Sequence, residues 1–187
     1  MSKGLVHFVH GKESGPNGRK IAALAQVAQR HGWDVASLDY SHTTDPALRL
    51  QQLKAACENL DRPLLLVGSS MGGWVAAQAS CPLDAHGVFL LAPAVYMPDY
   101  PTPAPSILAA HAEIVHGWDD EVILCEHAIR FARLRGCALH LVPDGHRLDA
   151  SIPLLCELFG AFLLRCGGTA FQDTGARPPL EAVDEDG

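Results

Sequence analysis

A serine flanked by small residues is the feature of this sequence that most directly suggests chemistry. The pentapeptide from Gly68 to Gly72 reads GSSMG and fits the pattern G-x-S-x-G, with Ser70 at its centre. An apolar run, LLLV, precedes it, and residues 71–80 have helical character. A serine on such a sharp strand-to-helix turn requires small residues two positions before it and two after it. The pattern predicts a nucleophilic Ser70, with Ser69 as a supporting hydroxyl.

The same turn predicts a group that can stabilise negative charge. The backbone N–H of Met71 opens the helix, where the first amides have no partner within the helix. Such an amide can act as an oxyanion donor to a carbonyl oxygen that reacts at Ser70. The alternative is a glycine- and serine-rich turn without reactivity. The strand before the turn and the helix after it favour the catalytic interpretation.

A serine hydroxyl needs a base, because it is a weak nucleophile at neutral pH. The chain contains 10 histidines. His146, in the segment VPDGHRLD, follows the last predicted strand, whereas most of the others fall within strands or helices. The base in turn needs a carboxylate that orients it. Asp119 and Asp120, in IVHGWDDEV, follow another predicted strand, and their spacing leaves both open.

The elements that must position these residues alternate along the chain. Strands are predicted at 5–9, 34–40, 64–67, 87–92, 113–117 and 138–142, and helices at 20–32, 46–60, 71–80, 122–135 and 148–165. Apolar strands separated by helices predict an α/β fold, doubly wound, with a mainly parallel sheet of about six strands covered by helices on both faces. The carboxyl ends of such strands share one edge, where sites gather.

Local signals support the helix assignments. Asp45 followed by proline is typical of an N-cap with proline at the first helical position. The spacing of Leu48, Leu53, Ala56 and Leu60 predicts one apolar face for that helix. Gly32 and Gly136 stand where helices are expected to end with a left-handed residue.

A segment rich in proline, residues 92–106, interrupts the alternation and contains five prolines. It is long enough for a small flap over the carboxyl edge and too short for a multi-helix cap. Five large side chains flank the candidate loops and either line an acyl pocket or belong to the core. They are Trp74, Tyr96, Met97, Tyr100 and Trp118. The little material available for a lid predicts a shallow or open site.

Composition excludes several classes of protein. The formal net charge is −7, which argues against a general surface for nucleic acid or anionic membranes. Five acids against one arginine fall in 167–187, which predicts a globular domain over 1–166 and an acidic, disordered C-terminal tail. No apolar run approaches the roughly 18–20 residues of a membrane span. The 6 scattered cysteines and the absence of a signal-peptide pattern predict a soluble, cytoplasmic protein with reduced thiols.

No pattern predicts a metal or an organic cofactor. His7 and His10 lie three positions apart in and just after a predicted strand, an offset that does not chelate a metal there. The glycine-rich stretch 11–18 lacks the Gly-Lys-Ser/Thr of a phosphate-binding loop. Lys12 and Arg19 in and after this stretch could attract an anionic substrate or be solvated surface charges.

Four motifs together resemble the α/β-hydrolase superfamily, and most closely its small, nearly capless serine esterase branch. They are the HG loop after the first strand, GSSMGGW, HGWDDEV and GHRL, in that order, and the resemblance spans roughly residues 5–165. The order serine, acid, histidine is that of the superfamily. The resemblance implies that the acid is the fourth residue after the histidine of H-G-x-x-D, which is Asp120. It also implies that the residue after H-G, Lys12, provides the second oxyanion N–H.

The chain departs from the family pattern in two respects. It lacks the two short antiparallel strands that usually precede the parallel ones, which predicts a trimmed sheet. Asp144-Gly145 stands before His146 where the family often has Gly-Asp, which alters how the histidine loop is held.

These observations predict a serine hydrolase that cleaves a small carboxylic ester or thioester through an acyl-enzyme, without a cofactor. Other reactions on the same triad stay open, namely acyl transfer, peptide hydrolysis or another hydrolysis. A non-catalytic binding protein with a hydrolase fold is the remaining alternative. The sequence leaves the oligomeric state open.

Overall fold

The structure is a computed structural model, and it describes residues 2–168. The acidic tail predicted over 167–187 therefore lies, except for its first two residues, outside the described part of the chain. The boundary between domain and tail stays a prediction. No helix within residues 2–168 is both long enough and apolar enough to cross a membrane.

The described chain forms one parallel sheet with five helices. The strands are β1 (Leu5–Val9), β2 (Asp34–Ser37), β3 (Leu64–Ser69), β4 (Gly87–Leu91), β5 (His111–Gly117) and β6 (Ala138–Val142), and the helices are α1 (Arg19–Arg30), α2 (Pro46–Cys57), α3 (Met71–Ser80), α4 (Cys125–Arg135) and α5 (Ile152–Gly168). The strand order is β2-β1-β3-β4-β5-β6, and all five pairings are parallel. The predicted α/β architecture with six strands is confirmed.

The sheet is covered on both faces because its central strands are apolar on both sides. Every residue of β1 and of β4 is buried. On one face, Phe8 and Phe89 pack against the Phe159 ring of α5 at centroid distances of 6.3 and 5.1 Å. On the other face, a separate core includes Leu66 of β3 and Trp74 of α3. These two cores pack against opposite faces of the sheet and position the strand ends from which the carboxyl-edge loops leave.

The chain reverses its direction of travel across the sheet at β1. From β1 it moves outward to β2, and then returns to place β3 on the other side of β1. The loops that leave β1 and β3 therefore diverge to opposite faces and open a crevice at the carboxyl edge. The glycine-rich loop after β1 and the Ser70 turn after β3 flank this crevice.

Helix α2 begins as predicted but buries a different face. Asp45 caps it by accepting a hydrogen bond from the Ala47 amide at 2.8 Å. The buried residues of the helix are Arg49, Leu53 and Cys57, whereas Leu48 is 47% exposed. The predictions that Leu48 and Ala56 lie on the apolar face were wrong, because the buried face is rotated by one residue and turns Arg49 inward.

Several predicted boundaries shift by up to four residues, and three of these shifts share a physical reason. Strand β2 ends at 37 instead of 40, helix α4 begins at 125 instead of 122, and α5 begins at 152 instead of 148. At each of these points a backbone amide donates to a side chain rather than to the regular element. These bonds run from Tyr40 N–H to His10 Nε2 (2.9 Å), from Ile123 N–H to Asp120 Oδ1 (2.8 Å) and from Ser151 N–H to Asp144 Oδ2 (2.9 Å).

Candidate active site

Ser70 occupies a sharp turn between β3 and α3. Its φ of 55° and ψ of −119° lie in a region that non-glycine residues rarely adopt. The turn is held from both sides, because the Ser70 amide donates to the Leu91 carbonyl at 2.9 Å and the Ser70 carbonyl accepts from the Ala94 amide at 3.0 Å. A conformation of this kind costs roughly 1–3 kcal/mol and persists only where the surroundings impose it.

The two small residues of the pentapeptide are required by close packing of backbone. A Cβ atom on Gly68 would lie 2.2 Å from the Gly72 carbonyl oxygen, and a Cβ atom on Gly72 would lie 2.0 Å from the Val9 carbonyl oxygen. Both neighbours are main-chain atoms that cannot rotate away. The turn therefore presses helix α3 against the ends of β1 and β3, as the G-x-S-x-G pattern predicts.

His146 lies between Ser70 and a buried carboxylate. Its Nε2 is 3.0 Å from Ser70 Oγ, and its Nδ1 is 2.8 Å from Asp120 Oδ2. Asp120 can only accept in its ionised form, so Nδ1 carries the proton and Nε2 accepts from the Ser70 hydroxyl. The His146 side chain is 21% exposed and that of Asp120 is 0% exposed. The arrangement lets a proton move from Ser70 to His146 while Asp120 orients the ring.

Asp120, and not Asp119, contacts the histidine. Asp120 Oδ1 accepts from the amides of Val122 and Ile123 at 2.9 and 2.8 Å, so the loop after β5 folds around its carboxylate. The Asp119 amide instead donates to the Asp144 carbonyl at 3.1 Å, and its side chain is exposed. The neighbouring amide of Trp118 donates to Val142 O at 2.9 Å. Through these two bonds the acid loop is joined to the loop that carries His146.

A second histidine, His116, completes the surroundings of Asp120. It is fully buried, and its Nε2 lies 2.8 Å from the Ile123 carbonyl and 3.2 Å from Asp120 Oδ2. Burial lowers the pKa of His116 below its usual 6.5, against the raising effect of the Ile123 carbonyl and of Asp120. His116 is therefore neutral near pH 7, and its single ring proton lies on Nε2, between the two acceptors.

Asp144 holds the histidine loop, at the position where the chain departs from the family pattern. Its Oδ1 accepts from the Gly145 amide at 2.7 Å, and its Oδ2 accepts from the Ser151 amide at 2.9 Å. Desolvation raises the pKa of Asp144, but the hydrogen bonds from Ser151 and Gly145 outweigh it and leave the pKa below its usual range. The carboxylate thus joins the residue before His146 to the start of α5.

Two backbone amides next to Ser70 form no hydrogen bond with any residue between 2 and 168. They belong to Lys12 and Met71, the two residues predicted as oxyanion donors. The loop that carries Lys12 lies against the turn, since a Cβ atom on Gly11 would be 3.5 Å from Ser70 Cβ. His10 braces this loop, because its Nδ1 donates to the Gly11 carbonyl at 2.8 Å. Its Nε2 accepts from the Tyr40 amide, and burial lowers the His10 pKa, so the ring is neutral.

The side chains predicted to bind substrate occupy different environments. Trp74 is 1% exposed and its indole N–H donates to the Thr102 carbonyl at 2.7 Å, which ties α3 to the proline-rich segment. Tyr96 and Met97 are half-buried against the same core. Trp118 is 54% exposed and lies two residues before Asp120. The structure thus brings Trp118 to the surface beside the acid loop and encloses Trp74.

The proline-rich segment contains neither helix nor strand within the described chain. It packs against α3 and α4, where Arg135 donates to the carbonyls of Pro105 and Ala104 at 2.9 and 2.7 Å. It adds no separate cap domain. Among residues 2–168, no group of three or more His, Cys, Asp or Glu side chains is arranged to hold a metal ion.

Comparison with known proteins places this geometry in a family. The family UPF0227, described as an uncharacterised protein family, matches residues 5–104. A solved structure of a protein assigned to the alpha/beta superfamily of hydrolases, from Xanthomonas campestris pv. campestris, is 34% identical with a TM-score of 0.82, over 88% of this chain and 99% of that one. The chain belongs to UPF0227 and to the alpha/beta hydrolase superfamily.

Solved structures with lower sequence identity show the same fold. Est1E from Butyrivibrio proteoclasticus is 20% identical with a TM-score of 0.78, over 90% of each chain. Alpha/beta hydrolase domain-containing protein 10 from mouse is 18% identical with a TM-score of 0.73, over 88% of this chain and 91% of that one. No curated protein sequence matches the chain. The resemblance drawn from the four motifs is confirmed, and the relatives support a hydrolase.

Three side chains that support the site were not predicted to belong to it. His116 is the first residue of the H-G-x-x-D motif, and its separation of four residues from Asp120 was a usable signal. His10 follows the first strand directly, so the edge of the sheet was its expected place. Arg49 gave the weakest signal, a charged residue four positions before the buried Leu53 of α2.

Proposed function

We propose that this alpha/beta hydrolase is a serine hydrolase that cleaves small carboxylic esters or thioesters through an acyl-enzyme. The observation that carries the proposal is the continuous pair of hydrogen bonds, 3.0 Å from Ser70 Oγ to His146 Nε2 and 2.8 Å from His146 Nδ1 to Asp120 Oδ2. Two consecutive bonds in this order give the serine a base and give the base an orienting acid.

The first half of the reaction forms the acyl-enzyme. Ser70 Oγ attacks the carbonyl carbon while its proton passes to His146 Nε2, and Asp120 stabilises the imidazolium that results. The negative charge on the former carbonyl oxygen is stabilised by the amides of Met71 and Lys12. The tetrahedral intermediate then loses its alcohol or thiol, which takes the proton from His146.

The second half releases the acid. A water molecule gives a proton to His146 Nε2 as its oxygen attacks the acyl carbon, and a second oxyanion forms at the same amides. Collapse of this intermediate breaks the bond to Ser70 Oγ, and the proton returns from His146 to the serine. The cycle restores every group and uses only the substrate and water.

The surroundings of the triad support a substrate class. The proline-rich segment packs against α3 and α4 and provides little material for a deep acyl tunnel. Trp118, 54% exposed, is an aromatic surface next to the acid loop. Est1E, which shares the fold at 20% identity, has been solved with ferulic acid bound. These features support esters with short or aromatic acyl groups.

Labelling with a fluorophosphonate probe tests the proposal most directly. The probe phosphonylates an activated serine, and we expect labelling at Ser70 that is lost in Ser70→Ala and retained in the matched control Ser69→Ala. Hydrolysis of p-nitrophenyl acetate should follow the same pattern and exceed hydrolysis of the laurate ester. A folded protein that neither labels nor turns over would favour a binding protein, and faster turnover of the laurate would contradict the short acyl group.

The fate of the acyl group separates hydrolysis from transfer. With a competing alcohol in the assay, a hydrolase releases mainly the free acid, whereas an acyltransferase releases mainly the new ester. We expect the free acid to dominate at moderate alcohol concentration. A dominant new ester would reassign the reaction to acyl transfer on the same triad.

A further inference from the structure

A charged side chain lies fully buried beneath the loop of residues 10–18, which carries Lys12 and is called the oxyanion loop below. Arg49, on the inner face of α2, is 0% exposed. Its Nη1 donates to the carbonyls of His10 and Gly11 at 3.1 and 3.2 Å, and its Nε donates to the Thr43 carbonyl at 2.9 Å. Its Nη2 has no hydrogen-bond partner within the described residues. Arg49 also forms no ion pair with any acid between residues 2 and 168.

Burying a cation at this position without a paired carboxylate is energetically unfavourable. Removing a guanidinium from water is unfavourable unless its charge and donors are compensated. Here three carbonyl dipoles and the Tyr40 ring, whose centroid is 5.7 Å from Arg49 Cζ, compensate it only in part. Leu53 and Cys57 fill the same helical face with apolar side chains. A methionine or leucine at position 49 could pack there at lower cost. The energetics therefore point to a role that a neutral side chain could not fill.

The contacts of Arg49 fix the direction of the Lys12 amide. In a trans peptide the carbonyl of one residue and the N–H of the next point in opposite directions. The Gly11 carbonyl accepts from Arg49 Nη1 and from His10 Nδ1, the latter at 2.8 Å, so this peptide plane is held by two donors. The Lys12 N–H on its other side has no partner within the described chain and is left to face a ligand.

The charge of Arg49 acts on the same peptide. No acid among residues 2–168 forms an ion pair with it, and the Asp39 charge acts on it only from a greater distance. The water-poor surroundings of a buried site weaken electrostatic interactions much less than bulk water does. Burial lowers the pKa of Arg49, but an arginine side chain keeps its proton at neutral pH. A fixed positive charge next to the oxyanion loop favours the tetrahedral intermediate, which is negative, over the neutral ester that precedes it.

We propose that Arg49 is a positioning residue of the oxyanion hole, which holds the Gly11–Lys12 peptide in its working orientation and supplies a positive charge behind it. This inference rests on the proposed function, because the Lys12 N–H has a catalytic role only if an oxyanion forms during attack by Ser70. It deepens that proposal by naming the side chain that prepares the second donor.

Arg49→Met removes both effects, and Arg135→Met is the matched control. Arg135 also donates to two backbone carbonyls, those of Ala104 and Pro105, but it does so away from the oxyanion loop. We expect Arg49→Met to lower kcat for p-nitrophenyl acetate by about 10- to 100-fold with KM changed less than about threefold. Arg135→Met should keep kcat within about twofold of the parent protein.

A trifluoromethyl ketone gives a readout that a merely structural residue would not move selectively. It adds to the catalytic serine and carries an oxyanion, so its inhibition constant reports the stabilisation of that charge. In Arg49→Met we expect this constant to rise by the same factor by which kcat falls, while KM stays nearly constant. A folded Arg49→Met that keeps kcat and the inhibition constant within twofold of the parent overturns the inference, as does an equal loss in Arg135→Met.

Arg49→Lys keeps the proposal testable if the methionine variant does not fold. Lysine keeps the charge but lacks the planar fork that reaches both carbonyls. We expect a fall in kcat of about 3- to 10-fold, again with a matching rise in the inhibition constant. A folded Arg49→Lys with unchanged kcat and inhibition constant overturns the inference.

The failure of this inference is distinguishable from the failure of the proposed function. If the parent protein neither hydrolyses esters nor binds the trifluoromethyl ketone, the proposed function fails and the inference falls with it. If the parent protein does both, and Ser70→Ala abolishes both, normal kinetics in the Arg49 variants overturn the inference alone.

Discussion

Among the histidine–carboxylate pairs of residues 2–168, one at the carboxyl edge of the sheet and one nearer the amino edge form a contrast, because only the first meets a serine. At the carboxyl edge of the sheet, His146 and Asp120 are 2.8 Å apart. Nearer the amino edge, His140 of β6 and Glu113 of β5 are 3.1 Å apart, and Glu113 also pairs with Arg165 of α5. The two pairs use the same chemical groups. Their surroundings differ in every respect that matters for reactivity.

The difference lies in what carries each pair. His146 and Asp120 stand on loops, and the second nitrogen of His146 is directed at Ser70. Glu113 and His140 stand on neighbouring strands, where their contact joins β5, β6 and α5. A histidine next to a carboxylate is therefore a structural device by default. It becomes an acid–base pair where a turn delivers a nucleophile to the free nitrogen.

The largest expected difference between the two pairs is in turnover. His146→Ala removes the proposed base, and kcat for p-nitrophenyl acetate should fall by about 10⁶-fold, the size of loss known for removal of the histidine from a serine protease triad. His140→Ala removes the histidine of the second pair and should keep kcat within about twofold. Steady-state kinetics of the two purified variants measure both values. A comparable loss of kcat in the two variants would contradict the assignment of a catalytic role to the His146 pair alone.

Substitutions of the carboxylates should differ in their effect on kcat by nearly as much. Asp120→Asn leaves the side chain in place but presents an amide to His146, and we expect kcat to fall by about 10⁴-fold. Asp119→Asn alters the exposed neighbour, and Glu113→Gln alters the acid of the second pair. Both should retain most of the activity. A large loss in Asp119→Asn with normal turnover in Asp120→Asn would reverse the assignment of the acid.

Alanine substitutions of glycines at the two edges should differ in how much they destabilise the protein. A Cβ atom on Gly72 would meet the Val9 carbonyl oxygen at 2.0 Å, which is rigid backbone. A Cβ atom on Gly87, at the start of β4, would meet side-chain atoms of Leu65 at 2.8 Å and of Phe162 at 2.9 Å, which can shift. We expect Gly72→Ala to lose more than about 4 kcal/mol of unfolding free energy and Gly87→Ala about 1–3 kcal/mol.

Urea denaturation of the two variants checks this order. Soluble, folded Gly72→Ala with near-parental stability would mean that the turn can relax away from β1. A greater loss in Gly87→Ala would mean that the amino edge is the more tightly packed of the two.

The smallest expected effect is a pH dependence of stability at the amino edge. Burial, and then the nearby His86 and Arg165, lower the pKa of His111 below its usual 6.5. The unfolded chain therefore binds this proton more readily, so the contribution of His111 to stability is present above about pH 6.5 and is lost as the pH falls. His111→Gln should flatten the fall in stability between pH 7.5 and 5.5 and leave kcat unchanged.

Urea midpoints of the parent and of His111→Gln at the two pH values measure the change. An identical slope in both proteins would remove His111 as a source of acid sensitivity. A shift in the pH profile of kcat would couple the two edges, which the separation of the two pairs argues against.

The helices and strands were predictable because their signals are local. Asp45 and Pro46 mark the start of α2, and Gly136 ends α4 with a φ of +64°. The elements that differ do so at their ends, where Asp120 and Asp144 draw amides out of the regular pattern. Such hydrogen bonds depend on side-chain rotamers, and the hydrophobic periodicity of the sequence does not predict them.

The site divides in the same way. The Ser70 turn could be predicted from five residues, because the close approach of backbone at Gly68 and Gly72 leaves room for no other side chain there. The position of His146 followed from its place after the last strand. The choice between Asp119 and Asp120 did not follow from spacing, since both leave β5 at the same edge.

By itself, the sequence determined the alternation of strands and helices, the turn that presents Ser70 and the order of serine, acid and histidine. These depend on interactions between residues close along the chain. Only the tertiary structure decided which aspartate reaches His146, which face of α2 is buried, and that Arg49 lies behind the oxyanion loop. Each of these joins residues 26 or more positions apart. The register of the sheet and the rotation of each helix set such contacts, and no short stretch of sequence specifies them.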